Sequence, residues 1–403
     1  MSEHPIRLVV GDDLQRRRLT VFFRLLLAIP HYIWAALWTI VAFLAAVMNW
    51  LATLVLGRSP TFLHRFLAAY VKYVTQLSAY LYLIADAYPA FDGQAGYPID
   101  VTIAPPSRQR RWRVLLRLPL ALPAILIGET LFGNSWGFRR KQSLAPGSLL
   151  SIAAFLAWFA CLIRGRMPRG LRDTGAYSLS YNAQLWAYLL LLTESYPDSD
   201  PLAALQDLPD EDAPIHLRGA DDLRRSRLTV LFRLPLSVPH LIWLTLWGIL
   251  ALLAAILSWI VSLILGRSPS WLHRFLAAYV RYKISVYAYL YIVANPFPGF
   301  AGKAGGYPLD TVIAERRQQR RWTVLLRLLL ALPALAIYSA YSSLNLLLAI
   351  LGWCAALILG RIPGGLRNAG ALALRYSAQT HGYLLLLTDA YPYSGPCESD
   401  RPV

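Results

Sequence analysis

One pattern occurs four times along this chain of 403 residues. A long apolar run ends at the tetrapeptide Gly-Arg-x-Pro, and a tyrosine-rich segment then leads to an aromatic residue followed by proline. A short β-prone stretch and a group of arginines precede each apolar run, and a proline breaks the run near its start. The tetrapeptides occupy residues 57–60, 165–168, 266–269 and 360–363. Such self-similarity predicts four copies of one helical unit.

The copies follow an A-B-A-B order, because units one and three are nearly identical over residues 57–73 and 266–282. Units two and four instead share Gly-Leu-Arg after the tetrapeptide and Tyr-Pro-(Ile/Leu)-Asp at their starts. We therefore predict two duplicated halves joined by an acidic, solvated linker. The predicted first half is 1–197 with units 1–92 and 93–197, the linker is 198–213, and the second half is 214–395 with units 214–300 and 301–395.

The composition predicts a membrane protein. Hydrophobic residues make up 57% of the chain and charged residues 15%, whereas soluble domains have about 25% charged residues. The net charge is +17, and the basic clusters adjoin apolar runs. This combination indicates anionic lipid headgroups as partners and argues against nucleic acid, since no single basic face or set of stacking aromatics stands out.

The sequence of unit one predicts its elements in order. Residues 5–10 are short and β-branched, which predicts a strand or an extended arm. Residues 16–29 alternate arginine with apolar side chains at helical spacing, which predicts an amphipathic helix in the headgroup layer that Pro30 kinks or ends. The uncharged residues 31–56 would extend about 39 Å as a helix, enough to cross a membrane with tilt.

Residues 62–85 form either a second span with a basic end or an interfacial helix, and we favour the span because of its length. The predicted fold class is an all-α integral membrane protein of four repeated helical units, with about eight membrane helices, amphipathic interfacial arms and short extended segments. Four spans with interfacial helices are the alternative. Unit two also carries an insert at 128–148, which we expect near a surface. Because the arms hold more Lys and Arg than the Gly-Arg-x-Pro ends, we expect arms, linker and termini in the cytoplasm.

A polar stripe recurs in the second helix of every unit. Its spacing of i, i+3 and i+7 places each trio on one helical face. We consider two interpretations: a polar pathway for a lipid headgroup or small solute at the repeat interface, and interhelical hydrogen bonds that stabilise a bundle. The residues are Tyr73, Gln76 and Tyr80; Tyr181, Gln184 and Tyr188; Tyr282, Ser285 and Tyr289; and Tyr376, Gln379 and Tyr383.

Two sets of arginines recur as well, and arginine suits phosphate because of its planar fork of donors. We predict both sets as contacts for lipid phosphates, with unspecific anchoring at the interface as the alternative. The arm arginines are Arg24, Arg117, Arg233 and Arg327, and the Gly-Arg-x-Pro arginines are Arg58, Arg166, Arg267 and Arg361. An acid or amide ends each second helix and is expected to form a turn or pair with an arm arginine: Asp86, Glu194, Asn295 and Asp389.

No motif for chemistry is present in the sequence. The three cysteines have no C-x-x-C spacing, and no histidine has a second ligand at i+4, so neither a metal site nor a disulfide framework is predicted. A nucleophile elbow, a phosphate-binding loop and a dinucleotide-binding fingerprint are all missing. We therefore predict no catalytic residues, no cofactor and no enzyme activity.

Residues 18–31, 57–60 and 79–89 resemble an uncharacterised bacterial membrane family known as domain of unknown function 4389. Its pattern runs R-L-x-x-F-F-R-L-L-L-A-I-P-H, an apolar span, G-R-x-P and A-Y-L-Y-L-x-x-D-x-Y-P. Residues 227–240 and 288–298 match it too, except that Asn295 and Phe297 replace Asp and Tyr. The resemblance covers nearly the whole chain in tandem copies. It implies a bacterial membrane location and brings no activity.

These observations favour a multi-pass protein of the bacterial inner membrane that binds or organises anionic lipids or scaffolds membrane-protein partners. The alternative is a transporter, channel or lipid scramblase that uses the Tyr/Gln stripes.

Overall fold

The computed structural model describes residues 4–93, 96–133, 147–204, 213–219, 221–316 and 318–397. The chain divides into two compact halves, residues 1–207 and 208–403. The division falls inside the predicted linker. Each half contains two of the predicted units, and we describe each half by itself.

The first half begins with a short strand and an amphipathic helix, as its sequence predicts. Its elements are β1 (Ile6–Val10), α1 (Arg18–Leu27), α2 (Ile29–Leu56), α3 (Thr61–Leu81), β2 (Ile99–Ile103), α4 (Arg111–Leu115), α5 (Arg117–Leu131), α6 (Leu149–Arg164), α7 (Arg169–Leu189) and the short α8 (Pro201–Ala204).

The second half repeats this order without the interruption between α5 and α6. Its elements are β3 (Ile215–Arg218), α9 (Arg227–Leu231), α10 (Arg233–Leu265), α11 (Ser270–Leu290), β4 (Asp310–Ile313), α12 (Arg321–Leu325), α13 (Arg327–Leu359) and α14 (Gly364–Leu384). We call α2, α6, α10 and α13 the outer helices and α3, α7, α11 and α14 the inner helices.

The Gly-Arg-x-Pro tetrapeptide joins an outer helix to the inner helix that follows it. The glycine ends the outer helix in a left-handed conformation, with φ between 67° and 71° in the four copies, which other residues adopt only at a cost. The arginine points outward, and the next side chain is buried. The proline then fixes the backbone at the start of the inner helix.

The two inner helices of each half are antiparallel. In the first half, His64 near the start of α3 bonds the Leu192 carbonyl beyond the end of α7, while Gly175 near the start of α7 faces Ile84. The strands of each half pair in an antiparallel ribbon, with Ile6 opposite Ile103 in the first half. The first ribbon packs on α3 and α7, so these helices are covered by strands as well as by apolar helices.

Each Gly-Arg-x-Pro turn pairs with the arm of the other unit in its half. The backbone N–H of Gln109 donates to the Gly57 carbonyl at 2.8 Å, and the backbone N–H of Arg16 donates to the Gly165 carbonyl at 3.0 Å. The second half repeats this with Gln319 to Gly266 and Arg225 to Gly360. An arm and a Gly-Arg-x-Pro turn therefore lie together at each end of a half. The predicted orientation assumed that the arms and these turns lie on opposite sides of the membrane, and the structure does not support this assumption.

The proline in each apolar run does not end its helix in units two to four. Pro123, Pro239 and Pro333 lie inside α5, α10 and α13. In these units the break falls six residues or more before the proline, directly ahead of the arm arginine. In unit one Pro30 lies in the first turn of α2, directly after the break at Ala28, where its missing N–H costs nothing.

Outer and inner helices differ in their surroundings. Three helices, α2, α10 and α13, are long and apolar enough to cross a membrane, and α6 is a shorter apolar helix. This finding indicates a membrane protein. Among the described residues none of the inner helices reaches the hydropathy of a span, so the prediction of eight spans is not confirmed.

The predicted linker is not solvated at its start. Ser199, Asp200 and Pro201 are buried, and the Tyr177 hydroxyl of α7 donates to the Ser199 carbonyl at 2.8 Å. Residues 198–204 therefore pack on α7 instead of forming a solvated linker. Residues 205–212, like most of the predicted insert at 128–148, lie outside the described residues.

Candidate functional site

The four arm arginines are buried, with side chains that bind the end of the inner helix in their own unit. Arg233 donates to the Tyr289 and Ala294 carbonyls at 2.6 and 3.1 Å. Arg24 makes the equivalent bonds to Tyr80 and Ala85. Arg117 and Arg327 donate to the Thr193 and Thr388 carbonyls. This placement differs from the prediction that these arginines contact lipid phosphate, since the protein itself uses their donors.

Acidic and aromatic groups complete this internal site. Arg24 pairs with Asp86 at 2.5 Å and Arg327 with Asp389 at 2.9 Å, while Arg233 bonds the Asn295 amide oxygen. The expected pairing of acid and arm arginine is confirmed there, whereas Glu194 bonds Arg113 instead. Each arm arginine also stacks on the last tyrosine of its stripe, at 4.0–4.4 Å from the ring centroid.

A second arm residue, eight positions before each arm arginine, supports the same turn. The turn contains a leucine or isoleucine with φ between 61° and 65°, which is a strained backbone for these residue types. The second residue donates to the carbonyl of this strained residue. It is Arg16, Gln109, Arg225 and Gln319 in the four units. Sequence reasoning missed this set, although alignment of the four units shows its constant spacing.

The first tyrosine of each stripe binds the chain near the proline of the preceding run. The hydroxyls of Tyr181 and Tyr376 donate to the carbonyls that follow Pro123 and Pro333. In units one and three the hydroxyl also bonds a histidine, His31 at 3.0 Å and His240 at 2.8 Å. These two histidines are buried and hydrogen-bonded, as expected for structural residues.

The glutamine of the stripe connects an inner helix to the extended segments. Gln379 donates to the Ile215 carbonyl of β3 at 2.9 Å and accepts from the Tyr393 amide at 2.9 Å. Gln184 contacts the Ile6 carbonyl and the Asp198 amide in the same way. Ser285, the exception in the sequence, bonds only within its own helix, to the Arg281 carbonyl. These stripe side chains therefore stabilise their own half.

The Gly-Arg-x-Pro arginines are exposed, unlike the arm arginines. Each lies beside the arm of the other unit in its half, and further exposed arginines surround it. We call each such group a basic corner. The corners consist of Arg58 with Arg108, Arg110 and Arg111; Arg166 with Arg17, Arg18 and Arg164; Arg267 with Arg316, Arg320 and Arg321; and Arg361 with Arg224 and Arg227.

The backbone fixes the positions of charges within a corner. Arg58 faces Arg108 across an isolated antiparallel bridge, and Arg224 faces Arg361 in the same way. Like charges in such opposite positions repel each other, so an anion between them would be stabilising. Beside Arg224 and Arg361 lies a cavity of about 500 Å³, which Arg225 and Asp222 also line.

One arginine of each corner caps an outer helix. Arg18, Arg111, Arg227 and Arg321 each donate to a carbonyl two residues before the glycine that ends the neighbouring outer helix. A cation at this end also suits the helix dipole. The corner is thus joined directly to the apolar surface. Within the part of the chain that the structure describes, no three His, Cys, Asp or Glu residues approach closely enough to bind a metal ion.

One known family matches this chain in four places. The sequence model described as "Domain of unknown function (DUF4389)" matches residues 18–92, 145–199, 227–301 and 321–394. The chain belongs to this family. No curated protein and no solved structure matches the chain.

Most DUF4389 copies begin and end where the repeated helical unit of the structure begins and ends. Copies one, three and four begin at the amphipathic helix and so contain arm arginine, outer helix, tetrapeptide and inner helix. The second copy begins just ahead of α6, because the long insert separates α6 from Arg117. All four basic corners include a tetrapeptide arginine from a DUF4389 copy.

Proposed function

We propose that this DUF4389 protein is a non-catalytic protein of the bacterial inner membrane that binds anionic lipids through its basic corners. The observation that carries this proposal is the opposed pair of exposed arginines at Arg58–Arg108 and Arg224–Arg361. Each pair adjoins the end of an apolar, exposed helix. A lipid phosphate bound between two such arginines would leave its acyl chains beside that helix.

The charge of the chain supports the same proposal. An arginine near an anionic membrane surface contributes about 1 kcal/mol to binding. Each basic corner offers three or four exposed arginines, so four corners together would give a strong preference for anionic over zwitterionic lipid. Lipid held at several corners would also let the protein organise lipids or scaffold other membrane proteins.

The test compares binding of the purified full-length protein to phosphatidylcholine vesicles with and without phosphatidylglycerol, measured by flotation. The variant Arg224→Gln/Arg361→Gln removes the opposed pair of one corner. We expect about thirtyfold weaker binding to the anionic vesicles, equivalent to about 2 kcal/mol for two charges.

The matched control is Arg218→Gln/Lys303→Gln, which removes two exposed charges from the strand side of the same half. It should bind within about twofold of the wild type if the corners face the membrane. Equal losses in the two variants, or a wild type indifferent to phosphatidylglycerol, would refute the proposal.

The alternative of a transporter, channel or scramblase rests on the Tyr/Gln stripes. In the described residues the hydroxyls of Tyr73, Tyr181, Tyr282 and Tyr376 and the amides of Gln184 and Gln379 bind atoms of their own half. No observation on these stripes favours a solute pathway over their structural role. We therefore propose lipid binding in preference to transport.

A further inference from the structure

The path of the chain beside α3 bears on how the protein meets the membrane. Residues 86–93 leave the end of α3, where Asp86 pairs with Arg24, and run back to the middle of the helix. Residues 96–109 lie farther along it. At mid-helix, Gly93 packs so closely on the Ala69 carbonyl that a Cβ would lie 2.7 Å from it. The segment reaches the opposite end at Gln109, which bonds Gly57. The described residues of this connection, which include β2, therefore lie along the inner helix from one end to the other.

The second half repeats this path. The described residues 295–316 and 318–319 lead from Asn295, beside Arg233, to Gln319, whose backbone amide bonds the Gly266 carbonyl. At mid-helix, Gly302 packs against the Ala278 carbonyl of α11. Lys303, directly after Gly302, is exposed, and in the first half Asp92, directly before Gly93, is exposed as well.

A membrane-spanning orientation of these helices would put the extended segments into hydrocarbon. Asp92, Lys303 and the exposed, irregular backbone at Gly305 and Gly306 would then meet acyl chains partway across the bilayer. Irregular backbone and open sheet edges exposed to lipid do not occur at that depth, since their polar groups find no partner.

The length of the outer helices points the same way. The 33 residues of α10 and of α13 extend about 50 Å each, against a hydrocarbon core of about 30 Å. At a tilt of about 40°, the upper end of the range in known proteins, the core takes up about 39 Å of a helix, so about 11 Å of each of these helices would lie outside the hydrocarbon. A helix is about 10–12 Å wide, which fits one leaflet of about 15 Å.

We propose that each half lies in the plane of the membrane within one leaflet, with its outer helices among the acyl chains and its strands and extended segments in water. Side chains such as Ile242, Ile249 and Ile260 of α10, all exposed, would face hydrocarbon along the whole helix. The basic corners at both ends would then meet the headgroups of the same leaflet. This inference rests on the proposed membrane role and replaces the predicted spans with helices parallel to the surface.

The first test introduces one new cysteine at a time into the full-length protein. The background variant Cys354→Ala removes the exposed native cysteine, and the native Cys161 and Cys397 are buried. Arg58→Cys and Arg166→Cys mark opposite ends of the first half, and Asp92→Cys marks its middle. A charged, membrane-impermeant maleimide is applied to right-side-out and inside-out vesicles. We expect all three sites to react in one vesicle type and none in the other until detergent is added.

Reaction of Arg58→Cys and Arg166→Cys in opposite vesicle types would overturn the inference, because it would show that the helices cross the membrane. A soluble dimer that leaves the membrane fraction would overturn it too, since a second copy would then cover the apolar faces. The replaced residues are exposed, so we expect the variants to fold, and circular dichroism checks this.

The second test measures depth with spin labels at Ile242→Cys, Ile249→Cys and Ile260→Cys, which share one face of α10. A helix parallel to the surface gives similar depths at the three sites, whereas a crossing helix gives a depth maximum at the middle site. The outcome is separable from the lipid proposal. Crossing helices with a preference for anionic vesicles would refute only the inference, and parallel helices without that preference would refute only the function.

Discussion

The outer helix α10 and the inner helix α11 follow one another in the same unit, yet their surroundings are opposite. On α10 most large apolar side chains are exposed, and the few buried residues are mostly polar or small, such as Ser258 and Ser262. On α11 polar and aromatic side chains such as Tyr282 and Tyr289 are buried. The comparison shows that the high hydropathy of the outer helix reflects its exposed surface. The inner helix is more polar because its side chains bind strands and turns.

The largest expected effect concerns the arginine that connects the two helix types. Arg327→Leu removes bonds to Gln319, Asp389 and the Thr388 carbonyl and leaves their acceptors unpaired. We expect a loss of about 3 kcal/mol in the free energy of unfolding, measured by chemical denaturation in detergent. The exposed Arg361→Leu serves as control and should cost under about 0.5 kcal/mol. Similar costs for both would contradict the assignment of a buried role to Arg327.

The next effect concerns a basic pair between inner helices. Lys283 of α11 lies 2.5 Å from the Nε2 atom of His381 of α14, with Tyr287 nearby. Burial lowers the pKa of Lys283 to about 8, and burial together with the Lys283 charge lowers the pKa of His381 to about 3. The equivalent positions in the first half are Val74 and Trp186, so only the second half has this pair.

The sign of the pH dependence follows from these pKa values. Between pH 8 and 10.5 the unfolded chain binds a proton at Lys283 that the folded chain has released, so stability rises with pH there. The rise should be on the order of 3 kcal/mol. Between pH 6.5 and 3 the unfolded chain binds a proton at His381 that the folded chain does not bind. The free energy of unfolding therefore decreases as the pH falls through this range.

Unfolding midpoints measured across this pH range test the pair. Lys283→Met should abolish the rise between pH 8 and 10.5 attributable to this residue. An unchanged rise in this variant would show that other groups cause it.

A smaller effect is expected at the polar stripe. Gln379→Leu removes two hydrogen bonds to extended segments and leaves a buried carbonyl and amide unpaired. We expect a loss of about 2 kcal/mol by chemical denaturation. Ser285→Ala at the equivalent position removes only a bond within its own helix and should cost less than about 1 kcal/mol. Reversed magnitudes would argue against the role of the stripe as a connection to the strands.

The smallest effect is expected at an exposed leucine of the outer helix, for which a buried leucine of the inner helix serves as the contrasting control. Leu253→Ala on exposed α10 should change the free energy of unfolding in detergent by under about 0.5 kcal/mol. Leu276→Ala on α11 creates a cavity in the core and should cost about 2–5 kcal/mol. Comparable losses would mean that the apolar surface of α10 is packed against protein rather than lipid.

The sequence determined the repeat, its A-B-A-B order, the short strands and the membrane character, because each depends on local pattern and composition. It also identified the two sets of arginines and the stripes, since they recur at fixed positions in each unit. The tertiary structure alone decided which arginines are exposed, because only the long-range packing of α1 on the end of α3 buries Arg24 and leaves Arg58 at the surface. It likewise decided that arms and Gly-Arg-x-Pro turns share the same ends, since antiparallel packing of the inner helices is a long-range contact that leaves no mark in local hydropathy.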